Sequence, residues 1–408
     1  MNGNRSLLGV CILALLLASC TPKVRVLRGT GSTPPPDQQT PVDVEAEPEV
    51  GEVSDFSKIA LLLPFELDKA NPHAPSEADI RRSALALDFY QGFKVGLDAL
   101  ASKGTNFKLN VLDTRDDEAQ NVRIAQLEEV QDAALVVGPV YPKEIQVFGF
   151  NARLDSALQI SPLAASMPSE FNQPNLVTMT APLPVHVRAL AAHIAGQYRQ
   201  GDVVILYHTR DNASEQLLTP LKVELRKLQN GSIRVVEVDD EETLESTVHL
   251  NGKNMVVLAT TNRYEISPIL SQLRRLQGEM DYDIRLFGHP NWARMAFDAG
   301  DGLEALHARI TASYFIDKTA ANVRRFDQEY RDSFGVTPTE FAYKGYDAAS
   351  YFGSLLAQYG ADYRAHLEDT GYKGLHNAFQ WEYNPDWGYV NTAISMLQYG
   401  RDGFRPVN

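Results

Sequence analysis

A chain of 408 residues exceeds the size at which one hydrophobic core keeps growing, which predicts two lobes. Its formal net charge of −14 excludes the basic footprint that nucleic-acid binding needs and disfavours electrostatic docking to an anionic membrane. The only cysteines, Cys11 and Cys20, lie in the first twenty residues, so no disulfide supports the folded body and its stability rests on core burial.

Residues 1–19 read as a signal peptide. Arg5 supplies a short basic region, and residues 7–18 form an apolar core too short to span a bilayer. The end, Leu17-Ala-Ser-Cys20, resembles a bacterial lipobox, which implies that Cys20 becomes the first mature residue and carries lipid. Thr21, not aspartate, follows it; by the sorting rule of some bacteria this implies an outer-membrane anchor with the body facing the periplasm. Residues 20–56 combine proline and acidic residues with few large apolar ones, the composition of a disordered tether. As a flexible coil it reaches roughly 30 Å.

From Lys58 onward, strands and helices alternate. Ile59-Ala-Leu-Leu-Leu63 is a continuous apolar run, as a strand buried on both faces requires, and Pro64 stops it. Residues 83–101 carry apolar side chains at helical spacing, 107–112 form a second strand, and 119–130 a second helix. Residues 134–137 and 157–160 are short strands that end in the proline turns Gly138-Pro-Val-Tyr141 and Ser161-Pro-Leu-Ala-Ala-Ser166. The helical segment between them makes this a right-handed parallel crossover. Ligands in such sheets sit outside the carboxyl ends of the strands, so both turns are expected on one cleft wall. A short strand follows at 176–179.

A second series starts with a helix at 186–198 and strands at 202–207, 233–238, 254–259 and 284–287, with helices at 215–228 and 266–276. After 310–315 come helices at 322–334 and 340–358. The stretches 378–383 and 389–398 alternate at period two around Asn384-Pro-Asp-Trp-Gly388, which predicts a hairpin. The expected architecture is α/β, two doubly wound lobes.

Few residues point to reaction chemistry. Asp113, Asp116 and Asp117 read as a turn capping the next helix, and the nine histidines show no HxH, HxxH or HExxH spacing. No Gly-x-Ser-x-Gly elbow is present. The expectation is a site that binds and does not react, with no cofactor and no metal. Phe65, Tyr207, Tyr264 and Trp292 follow predicted strand ends, where they either line the cleft or pack the core. Together they suggest aromatic walls suited to a sugar-like, peptide-like or apolar ligand.

Phe89-Tyr-Gln-Gly92, Asp113-Thr-Arg-Asp-Asp117, Val137-Gly-Pro139 and Ile160-Ser-Pro162 resemble the type I periplasmic binding proteins, the leucine-binding and receptor ligand-binding superfamily, across residues 57–408. Phe287-Gly-His-Pro-Asn-Trp292 and Trp387-Gly-Tyr-Val-Asn391 are similar to Bacteroidota envelope lipoproteins, some of which carry LysM modules. The resemblance implies three hinge crossings near 180–184, 315–318 and 372–378. One lobe would comprise 57–180 with 317–373, the other 181–316 with 374–408. Relatives that bind amino acids hold the carboxylate with a serine after Gly-Pro and a hydroxyl plus backbone after Ser-Pro, and the ammonium with an acid on the second lobe. Here Tyr141 stands near the serine's place, Ala164, Ala165 and Ser166 make the second turn, and Asn291 lies where an acid is common.

Two functions follow from the resemblance. One is a non-enzymatic lipoprotein that closes on an amino acid, peptide or wall fragment, as an ABC-type substrate-binding or sensing protein with a permease partner. The other is an outer-membrane regulator of peptidoglycan synthesis, like the penicillin-binding protein activators, that acts by contact with a wall synthase.

Overall fold

Ile59 to Leu63 are all fully buried, and alternate residues of this strand enter different cores. Ile59, Leu61 and Leu63 join one apolar cluster, while Ala60 and Leu62 join another on the opposite face. Successive side chains of a strand point to opposite faces, so the unbroken apolar run reports helices on both sides of a sheet. The computed structural model describes residues 56–71, 73–154 and 156–407; the expected signal peptide, Cys20 and the tether up to residue 55 lie outside the described residues.

Strands β1 (Ser57–Leu63), β2 (Phe107–Asp113), β3 (Leu135–Val137), β4 (Leu158–Ser161) and β5 (Leu176–Thr178) are mutually parallel. A second parallel set comprises β6 (Val203–Tyr207), β7 (Val235–Val238), β8 (Lys253–Leu258), β9 (Asp283–Gly288) and β10 (Arg309–Ala312). Strands β11 (Tyr372–Lys373) and β12 (Ala378–Phe379) pair with each other. Strands β13 (Trp381–Asn384) and β14 (Gly388–Asn391) form a hairpin, as do β15 (Ser395–Gly400) and β16 (Gly403–Pro406). The first sheet runs β13-β14-β5-β4-β3-β1-β2 and the second β16-β15-β10-β9-β8-β6-β7. In the second sheet, Val203, Ile205 and Tyr207 face one core, Val204 and Leu206 the other. The expected pair of doubly wound lobes is present.

The chain passes from the first sheet to the second between β5 and the helix Leu183–Gln197. It returns between β10 and the helix Ala321–Phe334, since that helix packs with the first lobe through Phe326 and Tyr330 beside Val95. The third crossing differs from the expectation. The hairpin was expected to extend from 378 to 398, with the crossing before it at 372–378. Instead β14 pairs with β5 of the first sheet, Val390 opposite Thr178, and Phe379 and Trp381 are buried in the first lobe's core. The Asn391 amide donates to the carbonyls of Met179 and Ala378, both at 2.9 Å, and the chain leaves the first sheet only at 392–394. Residues 374–391 therefore belong to the first lobe. Period-two alternation continues through both hairpins because each buries one face, and it carries no mark of which sheet receives it.

Within the first lobe, helix Glu77–Ala101 lies directly on helix Glu340–Tyr359. Small residues permit the approach: a Cβ on Gly92 would sit 1.9 Å from the carbonyl oxygen of Ala342, and one on Gly345 2.1 Å from that of Phe89. The Phe89-Tyr-Gln-Gly92 motif thus serves the packing. Gly92→Val is expected to lower the unfolding free energy by about 3 kcal/mol, since a backbone carbonyl cannot yield as a side chain does. Urea denaturation of the variant beside the native protein measures this.

Candidate functional site

The two proline turns stand at the carboxyl ends of β3 and β4. Gly138 has φ +106°, and a Cβ there would meet the Leu62 carbonyl oxygen at 2.1 Å, so the turn requires glycine on both counts. The turn delivers Tyr141 to the N-terminus of helix Pro142–Asn151, where its backbone N–H donates to Glu144 Oε2 at 3.3 Å. The buried Glu144 also accepts from Asn121 Nδ2 at 2.9 Å, and burial raises its pKa above the ordinary carboxylate range.

A cavity of about 440 Å³ opens against these turns. Val140, Tyr141, Pro142, Leu163 and Ala164 line it from the turns, Leu85 and Phe341 from the paired helices. Its polar end consists of Glu340 and Lys344 from the first lobe and Arg294 from the second. Arg294 donates to Glu340 Oε1 at 2.6 Å through Nη2 and to the Tyr314 hydroxyl at 2.7 Å through Nε. Lys344 Nζ lies 3.1 Å from the same Glu340 oxygen and 5.6 Å from the centre of the Tyr314 ring.

Behind this cluster stands the hinge. The Tyr314 ring stacks on His376 at 4.4 Å with planes 6° apart, and His376 Nε2 sits 3.9 Å from Glu340 Oε1. Burial lowers the His376 pKa to about 3, helped by the charges of Lys344 and Arg294, so the ring is neutral. Burial also lowers the pKa of Lys344, against the attraction of Glu340. Asp347 accepts backbone N–H bonds from Leu375 at 2.8 Å, His376 at 2.9 Å and Asn377 at 2.7 Å, and a bond from the Tyr372 hydroxyl at 3.2 Å. Burial pushes its carboxyl up to about 6 against those four bonds.

A second cavity of about 460 Å³ opens at the carboxyl ends of β6 and β7. Tyr207, Arg210, Asp239, Glu241, Tyr264 and Glu265 are among its walls. His208 beside them bridges Glu215 and Glu237, at 3.0 Å to each.

The expected site residues divide accordingly. Tyr141 and Ala164 line the first cavity; Tyr207 and Tyr264 line the second, Tyr264 being 91% exposed. Ala165 is exposed and Ser166 half-buried just past Ala164, and neither is a wall of that cavity. Asn291 is exposed, its backbone N–H bonded to His289 Nδ1 at 3.0 Å. Phe65 and Trp292 are corrections. Phe65 packs edge-on against Tyr90 at 6.2 Å and is buried in the first lobe's core. Trp292 is fully buried over Gly288, donating Nε1–H to the Thr260 carbonyl at 2.8 Å. Each follows a strand end as expected but turns inward, since position along the chain does not set the direction of a loop side chain. The Asp113 and Asp117 carboxylates accept backbone N–H bonds, Asp113 from Glu66, Leu67 and Arg115 and Asp117 from Gln120 as a helix cap.

Sequence reasoning missed Arg294, Tyr314, Glu340, Lys344 and His376. Glu340 and Lys344 stand at i,i+4, a spacing shared with ordinary solvent-facing pairs. The available signal was a lone lysine among Phe341, Ala342, Tyr343, Gly345, Ala348 and Ala349.

No protein-family model matches the chain, and no curated protein matches it in sequence. Solved structures do match. A protein of Rhodospirillum rubrum assigned as a branched-chain amino acid ABC transporter shares 17% identity with TM-score 0.59, over 86% of this chain and 99% of its own. A branched-chain amino acid ABC transporter periplasmic ligand-binding protein of Burkholderia xenovorans shares 14% identity with TM-score 0.55, over 86% and 94%. An ABC transporter substrate-binding protein of Desulfitobacterium hafniense, in complex with Leu, shares 14% identity with TM-score 0.50, over 86% and 99%.

The fold is that of the type I periplasmic binding proteins.

Within this binding-protein fold two further buried histidines, one beside a lobe crossing and one after β9, are neutral. Burial lowers His186 and His289 to pKa about 4, with His186 Nδ1 2.9 Å from Thr311 Oγ1. The unfolded chain takes up these protons below the ordinary value of 6.5 and the folded chain does not. Stability is therefore full above pH 6.5 and falls as the pH drops towards 4, by up to about 3 kcal/mol for His186. Asp347 acts in the opposite sense, because its raised carboxyl gains stability as the pH falls through 6, but the histidines outweigh it. The urea midpoint is expected to decline steadily from pH 6.5 to 4, and His186→Gln to flatten that slope.

Proposed function

We propose that this protein is a non-enzymatic binding protein whose two lobes close on a small solute, as an ABC-type substrate-binding or sensing protein. The cavity of about 440 Å³ carries the reading, because its walls come from both lobes: the proline turns and paired helices of one, and Arg294 of the other. Its size lies within the range of small-molecule sites, and its mixture of apolar walls with a few convergent polar groups is what such sites use. A solute touching both lobes favours the closed arrangement by its differential affinity for it, so binding and closure are one equilibrium. The leucine-bound D. hafniense structure and the two transporter-associated structures support this reading through their shared fold.

The leader and lipobox-like Leu17-Ala-Ser-Cys20 support lipidation at Cys20 and an outer-membrane anchor facing the periplasm. The Phe287–Trp292 and Trp387–Asn391 motifs support a place among envelope lipoproteins of the Bacteroidota type. Regulation of wall synthesis by contact is the second reading. It is favoured by the Arg294–Glu340 ion pair at 2.6 Å, a direct contact between the lobes.

Calorimetry and thermal shift on the mature protein, with amino acids, short peptides and muropeptides at millimolar concentration, test the first reading. A ligand at a hundred times its Kd is expected to add about 2.7 kcal/mol of stability, and solution scattering to show contraction on binding. No stabilisation by any of them, with capture of a wall synthase, would overturn it for the second. Cys20→Ala is expected to move the protein from the outer-membrane fraction to the soluble periplasm, read by fractionation.

A further inference from the structure

This inference rests on the solute-binding reading and names the chemistry of the solute. We propose that the cleft cavity selects a monoanionic carboxylate on an apolar body, with Arg294 and Lys344 as its partners and Glu340 as the group with which it competes.

The charges at the cavity's polar end do not balance. Arg294 and Lys344 bring two positive charges, Glu340 brings one negative charge, and His376 behind them is neutral. Both cations converge on a single oxygen, Oε1 of Glu340, at 2.6 and 3.1 Å. An ammonium carries three donors and a guanidinium five, so one shared oxygen and the Tyr314 hydroxyl leave most of them uncommitted. Only 5% of the Lys344 side chain is exposed, and Lys344 lines the cavity, so an anion bound there displaces the little water that reaches it. A buried cation that meets half of a carboxylate costs free energy that a second anion recovers.

The remainder of the cavity sets the rest of the ligand. Leu85, Val140, Leu163 and Phe341 present an apolar wall with no further charge. A ligand ammonium would find only Glu340 there, already shared by two cations, so a zwitterion gains less than the same molecule without its amino group. The preference is local. The chain's net charge of −14 repels anions at long range, and only groups within about a Debye length of the polar end can reverse that.

Matched trios of compounds test the assignment by calorimetry on the mature protein: 4-methylpentanoate, 4-methylpentanamide and leucine; phenylacetate, phenylacetamide and phenylalanine. In at least one trio the carboxylate is expected to bind at least about tenfold more tightly than both the amide and the amino acid. Arg294→Gln, at an exposed side chain, and Lys344→Met are each expected to reduce carboxylate affinity about tenfold and amide affinity by clearly less. Glu340→Gln is expected to raise carboxylate affinity, because it removes the competing anion. Equal binding of amide and carboxylate, a preference for the amino acid, or weaker carboxylate binding by Glu340→Gln would overturn the assignment while leaving solute binding intact. Failure of all six compounds while a peptide or muropeptide binds would overturn the assignment and leave solute binding intact; failure of every one of these ligands overturns the solute-binding reading and the assignment with it.

Discussion

The carboxylate of Asp347 is the contact on which the geometry of the cleft depends. From a buried turn of helix Glu340–Tyr359 it accepts three successive backbone N–H bonds, from Leu375, His376 and Asn377. Three donors on one short loop have no other partner in a dry interior, and each would cost on the order of 1–3 kcal/mol if left bare. The loop is therefore held to one helix. With it are set the His376 ring, the Tyr314 ring stacked upon it, and the Arg294 side chain bonded to the Tyr314 hydroxyl. The same helix supplies Glu340 and Lys344. A single carboxylate thus holds hinge and polar cluster in register.

The strength of the contact between the lobes follows from its exposure. The Arg294 and Glu340 side chains are 58% and 26% exposed, and ion pairs of that kind contribute between about zero and 1 kcal/mol. Such a pair biases the hinge without locking it. A solute that supplies several apolar contacts and one well-placed charge exceeds it easily, so the lobes can answer to a ligand. Lys344 differs because it is buried: burial opposes its charge and Glu340 supports it, so a further anion in the cavity favours the charged form.

Much of the fold was legible in the chain, and for clear reasons. Strands buried on both faces are unbroken apolar runs, and Ile59 to Leu63 or Val203 to Tyr207 announce themselves in that way. Proline turns after β3 and β4 mark strand ends, and two successive α/β series mark two lobes. The 378–398 stretch was harder, because two hairpins that join different sheets share one alternating pattern. The aromatic residues were harder still. Tyr264 reaches solvent at a cavity mouth while Trp292, in a comparable position after a strand, folds under its own turn into the core.

The sequence by itself determined the alternation of elements, the two parallel sheets and the turns on which a cleft had to be built, because local periodicity and backbone chemistry decide those. Only the tertiary structure decided which polar groups meet there. Arg294 and His376 are separated from Glu340 by 46 and 36 residues, and Lys344 by four. They become a site because the second lobe's turn, the hinge loop and one helix converge on a single carboxylate oxygen. No local pattern encodes that convergence: each side chain, read in its own neighbourhood, is an ordinary polar group on an ordinary element.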